Sequence, residues 1–229
     1  MPMNHAHVKP AGYFVKRLSS KMGFAVFFFG FAVASPLVSA KTTNDLARDI
    51  AQGKMLTYTC IGCHGMRGFE VTYPFYNIPK VAGQNRTYLF DALMDYRKGE
   101  RDFPTMKAQA RSMTVPELRD IAAYFASLRG QVKTRLPLFS RAKARLGAKL
   151  ITTCAACHGK HGLSVSPQFP DLASQYPSYL VRALEEYKTG ERKNAIMNAM
   201  AANLTHREMI DIANYFASQP GPLGQIPGG

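Results

Sequence analysis

Two hexapeptides decide the fold: Cys60-Ile61-Gly62-Cys63-His64-Gly65 and, 94 residues later, Cys154-Ala155-Ala156-Cys157-His158-Gly159. The 229-residue chain has 4 Cys, and these motifs use all of them. Outward from the motifs the chain repeats itself. Gly53 and Leu56 precede the first as Gly147 and Leu150 precede the second. Downstream the offset falls to 91. Pro79 then matches Pro170, Gln84 matches Gln175, and Tyr88-Leu89 matches Tyr179-Leu180. Tyr96 matches Tyr187, and Gly99-Glu100-Arg101 matches Gly190-Glu191-Arg192. The stretch Ile121-Ala122-Ala123-Tyr124-Phe125-Ala126-Ser127 returns as Ile212-Ala213-Asn214-Tyr215-Phe216-Ala217-Ser218. The shortened offset places three extra residues in the first half, within 66–78. Such self-similarity means two copies of one small unit.

Each copy reads as helical. Residues 44–59 carry Leu46, Ile50 and Met55 at helical spacing, with Asn44 as a candidate N-cap. Residues 87–98 form a second helical pattern. Thr114-Val115-Pro116-Glu117 is a helix start, with a capping Thr, an early Pro and Glu at the third helical position, and Thr205 to Glu208 repeats it. No strand pattern of any length appears. The stretch 129–139, with Gly130, Pro137 and three basic residues, reads as a linker. The expected architecture is all-α, with two tandem domains at 41–130 and 139–229 joined by 131–138.

Residues 1–40 read as an export signal. Lys9, Lys16, Arg17 and Lys21 stand without an acidic residue, followed by an apolar run from Met22 to Ala34 and by Val38-Ser39-Ala40. The run is short of the ~20 residues of a spanning helix, and Pro36 follows it. Cleavage after Ala40 and a periplasmic location are expected. The whole chain carries 29 Lys plus Arg against 15 Asp plus Glu, a formal charge of +14, and losing four cations leaves +10. The charge is spread along an exported chain, which argues against a nucleic-acid role.

Two thiols three residues apart with His immediately after suit covalent attachment of haem c. Each thiol adds across a vinyl group, and the imidazole becomes the proximal iron ligand. A redox disulfide or half a zinc site requires no adjacent His. Two covalently bound haems are therefore expected, on Cys60, Cys63, Cys154 and Cys157, with His64 and His158 as axial ligands. His161 and His206 do not repeat. Among the methionines downstream of the motifs, only Met106 and Met197 occupy equal positions, each expected in the loop leading to the last helix. A thioether is a soft donor that favours ferrous iron, so these two are the candidate distal ligands, with Met200 the alternative in the second half. Pro79 and Pro170 follow their His closely enough for their carbonyls to accept from the imidazole's other nitrogen, although they also suit simple loop shaping.

On both haem motifs, on Pro79-Lys80-Val81-Ala82-Gly83-Gln84, on the Gly-Glu-Arg turns and on the Ala-Tyr-Phe-Ala-Ser helix of the first half with its counterpart in the second, residues 44–218 resemble the cytochrome c4 family. The resemblance implies two cytochrome c-like domains, each of three or more helices around one haem. It implies the axial methionine seven residues before the apolar residue preceding the last helix's cap, which gives Met106 from Met113 and Met197 from Leu204. It supports the Pro79 and Pro170 carbonyls, and it implies that Gly53 and Gly147 let the first and last helices cross closely, against Tyr124 and Tyr215. Ala173-Ser174-Gln175 departs from Ala82-Gly83-Gln84.

With both axial positions filled no substrate site remains, so an electron carrier rather than an enzyme is expected. It would shuttle between redox proteins of membrane respiratory complexes, from a quinol-oxidising complex to a terminal oxidase, and could associate with anionic membrane surface. The alternatives are the cytochrome subunit of a dehydrogenase such as a flavocytochrome, and a dihaem peroxidase-type enzyme, which needs a replaceable distal ligand.

Overall fold

The computed structural model describes residues 43–72, 75–132 and 134–226. The export signal and its cleavage site lie outside the described residues.

Among the described residues ten helices follow in two matching sets of five. The first half has α1 (Thr43–Leu56), α2 (Tyr58–His64), α3 (Arg86–Lys98), α4 (Pro104–Arg111) and α5 (Val115–Ser127). The second has α6 (Arg141–Gly147), α7 (Thr152–His158), α8 (Pro177–Thr189), α9 (Ala195–Ala202) and α10 (His206–Ser218). In each half the first and third helices pack on the last, α1 and α3 on α5, α6 and α8 on α10.

The last helices start as expected. Thr114 Oγ1 accepts from the Glu117 amide while Glu117 Oε2 accepts from the Thr114 amide at 2.7 Å, and Thr205 with Glu208 repeats the pair at 2.8 Å. At the first helix two expectations change. Thr43 precedes Asn44 inside α1, and the helix stops at Leu56, where Thr57, fully buried, turns the chain into α2. Gly53 and Gly147 do sit at helix crossings. A methyl group at either would overlap the carbonyl oxygen of Asp120 or Asp211. The close approach is thus to main chain. Tyr124 Cβ is next nearest at Gly53, whereas at Gly147 the Ile212 amide, not Tyr215, lies there.

The expectation of no strands is corrected. Glu70–Thr72 (β1) pairs antiparallel with Phe75–Asn77 (β2), inside the stretch that carries the three extra residues. This hairpin braces the halves together. The Gly68 amide donates to Tyr176 Oη at 2.9 Å and the Asn77 amide donates to Ser178 Oγ at 3.0 Å.

Each half has an apolar core. One gathers Leu89, Ile121, Tyr124, Phe125 and Leu128, the other Ile151, Leu180, Ile212, Ala213 and Phe216. The C-terminal segment crosses from the second half to the first. Ile226 enters the first core, and the Gly224 amide donates to the Ala82 carbonyl at 3.1 Å. Where the Gly-Glu-Arg turns meet, Arg101 and Arg192 form an antiparallel bridge, both nearly buried. Arg101 lies over the rings of Tyr88 and Tyr96, and Arg192 over those of Tyr179 and Tyr187. Asp95 and Glu186 supply the carboxylates, at 3.1 Å and 2.6 Å. Each buried cation thus has a counter-ion and two aromatic faces, as burial of charge demands.

Candidate haem sites

Short helices α2 and α7 each present two thiols one turn apart and a histidine at the end. Cys60, Cys63, Cys154 and Cys157 are free thiols, all half-buried. Burial pushes the Cys60 and Cys154 thiols up, outweighing hydrogen bonds that favour the thiolate. They therefore carry the S–H proton that addition across a vinyl group consumes.

The two histidines stand in equal settings. His64 Nδ1 lies 2.9 Å from the Pro79 carbonyl oxygen, and His158 Nδ1 lies 3.0 Å from that of Pro170. A carbonyl only accepts, so Nδ1 carries the hydrogen in both rings and Nε2 keeps a lone pair that can ligate a metal. Burial holds both imidazoles below their ordinary range against the opposing pull of these carbonyls and, at His158, of Asp171. Both are neutral at pH 7, the form that ligates iron.

Met106 and Met197 are each the third residue of an eight-residue helix, α4 and α9. They lie in helices, not loops as expected from sequence. Pro104 begins α4, and Asn194 Oδ1 caps α9 by accepting from the Met197 amide at 3.0 Å. Both sulfur-bearing side chains are half-buried. Thr59, beside Cys60, donates to Gln109 Oε1 at 3.3 Å, which ties α4 to α2. Arg97 on α3 donates to the Ala110, Arg111 and Met113 carbonyls, and Lys188 on α8 to the Leu204 carbonyl at 2.6 Å. These cations satisfy carbonyls at the end of α4 and just beyond both methionine helices. Three other methionines are placed differently. Met209 is a core residue, 1% exposed, while Met66 and Met200 are exposed at 43% and 46%. Met200 sits one turn beyond Met197. His161 is exposed with Nδ1 against Gln219 Oε1 at 3.1 Å, and His206 is exposed, pairing with Glu185 at 2.8 Å.

The donor set fits haem c. Each half offers two free thiols, a neutral imidazole with a fixed tautomer and a thioether in one repeated position. Among the described residues no three His, Cys, Asp or Glu side chains gather to hold a bare metal ion, whereas a haem iron takes four of its ligands from the ring.

Sequence reasoning gave no role to Gln84, Gln175, Arg97 or Lys188. The repeat marked both glutamines, but their partners lie in the other half of the chain, where no local signal points.

The chain is similar to known c-type cytochromes. The cytochrome c family model matches residues 144–220. A cytochrome c4 of Pseudomonas aeruginosa is 32% identical over 179 residues, covering 74% of this chain and 88% of the relative. A thiosulfate dehydrogenase electron acceptor of Thiomonas intermedia is 28% identical, covering 71% and 79%. The crystal structure of reduced cytochrome c4 from Pseudomonas stutzeri superposes with a TM-score of 0.65 at 27% identity, covering 75% of this chain and 98% of that one.

Proposed function

The chain belongs to the cytochrome c4 family, and from that premise we propose that it is a periplasmic shuttle carrying electrons from a quinol-oxidising complex to a terminal oxidase. Covalent attachment of two haems c and electron transfer come with the family. When bound, each haem supplies a one-electron Fe(III)/Fe(II) couple. The proposed assignment attaches them through Cys60 and Cys63 and through Cys154 and Cys157. His64 and Met106 would hold the first iron, and His158 and Met197 the second. The first cytochrome domain is residues 41–130 and the second 139–229, joined by 131–138.

The observation that carries this reading is the twofold recurrence of one donor set, with both imidazoles oriented by a proline carbonyl at 2.9–3.0 Å. The chain's part is to hold ligands still between oxidation states. The Nδ1–H···O=C bond fixes the ring and adds electron density to the imidazole. The helices α4 and α9, pinned by Arg97 and Lys188, hold the thioethers. Held by two side chains, each haem would exchange electrons without bond making, and the +10 charge left after loss of residues 1–40 would steer the protein toward acidic docking surfaces.

Coulometric titration of the holoprotein tests the proposal. Two electrons per chain, taken up reversibly and passed to a terminal cytochrome c oxidase preparation, are expected. Uptake of one, or failure to reduce the oxidase, contradicts it. A second reading, the electron-accepting subunit of a dehydrogenase, is favoured by the name of the Thiomonas relative. Co-purification in a stable complex with a dehydrogenase distinguishes the two.

A further inference from the structure

The carbonyl that meets each proximal histidine belongs to a peptide group whose N–H end is held by the opposite half. Pro79 C=O and Lys80 N–H form one peptide group. Its oxygen accepts from His64 Nδ1 at 2.9 Å, and its N–H donates to Gln175 Oε1, also at 2.9 Å. Pro170 C=O and Asp171 N–H form the corresponding group in the second half. It accepts from His158 at 3.0 Å and donates to Gln84 Oε1 at 2.9 Å. Each glutamine closes the grip from its amide nitrogen. Gln175 Nε2 donates to the Lys80 carbonyl and Gln84 Nε2 to the Asp171 carbonyl, both at 2.9 Å. Each Oε1 also takes a second amide, Tyr176 at 3.0 Å or Asn85 at 2.8 Å. Two N–H donors at one end and a carbonyl at the other fix the orientation of both side-chain amides. All four clamped or clamping residues, Lys80, Gln84, Asp171 and Gln175, are buried, at 2–4% exposure.

We infer that Gln84 and Gln175 are positioning residues that act crosswise: each sets the reduction potential of the haem in the other half of the chain. Hydrogen bonds in series polarise one another in a buried setting. Accepting from the Lys80 amide makes the Pro79 oxygen a stronger acceptor, which draws on the His64 Nδ1 hydrogen and raises the basicity of Nε2. A more basic proximal ligand stabilises Fe(III) and lowers the potential. The contact also ties the proximal side of each site to the packing of the two halves, so a shift at one half reaches the iron of the other through one peptide group. The inference rests on His64 and His158 being the proximal ligands, as proposed above.

The experiment uses full-length holoprotein. Met106→His places a harder donor on the first iron and moves its redox wave down, labelling it. In that background Gln84→Met, which keeps side-chain length and removes both hydrogen bonds, is expected to raise the unlabelled second-half wave. The expected change in its oxidation equilibrium is about fivefold, what one hydrogen bond of ordinary strength supplies, or ~40 mV at ~59 mV per tenfold for one electron. Gln175→Met is expected to raise the labelled wave. Gln84→Glu, which offers a stronger acceptor to the Asp171 amide, is expected to lower the second-half wave, opposite in sign to Gln84→Met. It serves alone if the Met variant does not fold. Movement of the same-half wave, or of neither, overturns the inference while leaving the ligand assignment intact. If the Met106→His label moves neither wave, the ligand assignment itself has failed.

Discussion

At the scale of single residues the repeat breaks at one buried charged position. The residue after each proximal proline is Lys80 in one half and Asp171 in the other. Lys80 Nζ donates to the Arg135 and Ser174 carbonyls and lies over the Tyr176 ring at 5.0 Å. Burial, with Arg67 nearby, pulls its pKa down from 10.5 to about 8. The folded protein therefore releases this proton between pH 8 and 10.5 while the unfolded chain keeps it, so this group's contribution to stability rises with pH across that window. Denaturant unfolding at pH 7 and pH 9.5 checks this: wild type is expected to gain on Lys80→Met at the higher pH. An unchanged difference contradicts it. Asp171 is fixed by Arg129 and by the Ser164 amide at 2.8 Å, close enough to raise the proton affinity of His158. Asp171→Asn removes an anion that favours Fe(III), so the second-half potential is expected to rise in a redox titration.

At the scale of elements, close main-chain packing and one strained turn set the local limits. Gly53→Ala drives a methyl into the Asp120 carbonyl, and Gly147→Ala does the same at Asp211. Each is expected to cost about 1–3 kcal/mol, the range of overpacking, read from the shift in denaturant midpoint. Ser174 has φ 60° where Gly83 has φ 84°, and it is the one non-glycine residue with positive φ among the described residues. Its hydroxyl donates to the Leu223 carbonyl at 3.3 Å. Ser174→Gly relieves the turn and loses that bond, whereas Ser174→Ala loses the bond and keeps the strain. The Ala variant is therefore expected to be the less stable by about 1 kcal/mol. The capping boxes at Thr114 and Thr205 were legible because both partners stand within one turn of chain. The hairpin was not. Its strands are three residues each and Pro74 interrupts the run, too little for an alternating pattern. The methionine helices were read as loops because eight residues of Pro104–Arg111 or Ala195–Ala202 present no clear apolar stripe.

At the scale of the whole molecule the two halves share a polar seam. The hairpin, the Arg101–Arg192 bridge, the C-terminal segment and the two glutamine clamps all span it. None was legible from sequence, because each joins residues far apart in the chain, Lys80 and Gln175 being 95 apart. The two Cys-x-x-Cys-His motifs were legible because cysteine chemistry imposes a local spacing, and the repeat singles out Met106 and Met197 as the proposed distal ligands. The net positive charge predicts that electron exchange with an acidic redox protein slows as ionic strength rises from 0.01 to 0.15 M, as the Debye length falls from about 30 to about 8 Å. Stopped-flow rates independent of salt contradict this steering. The central claim is that each iron is held by an imidazole on one side and a thioether on the other. Carbon monoxide added to the dithionite-reduced holoprotein tests it most directly. The account predicts an unchanged visible spectrum for wild type, with one haem converted in Met106→Ala and the other in Met197→Ala; ready conversion of either haem in the wild-type protein contradicts it.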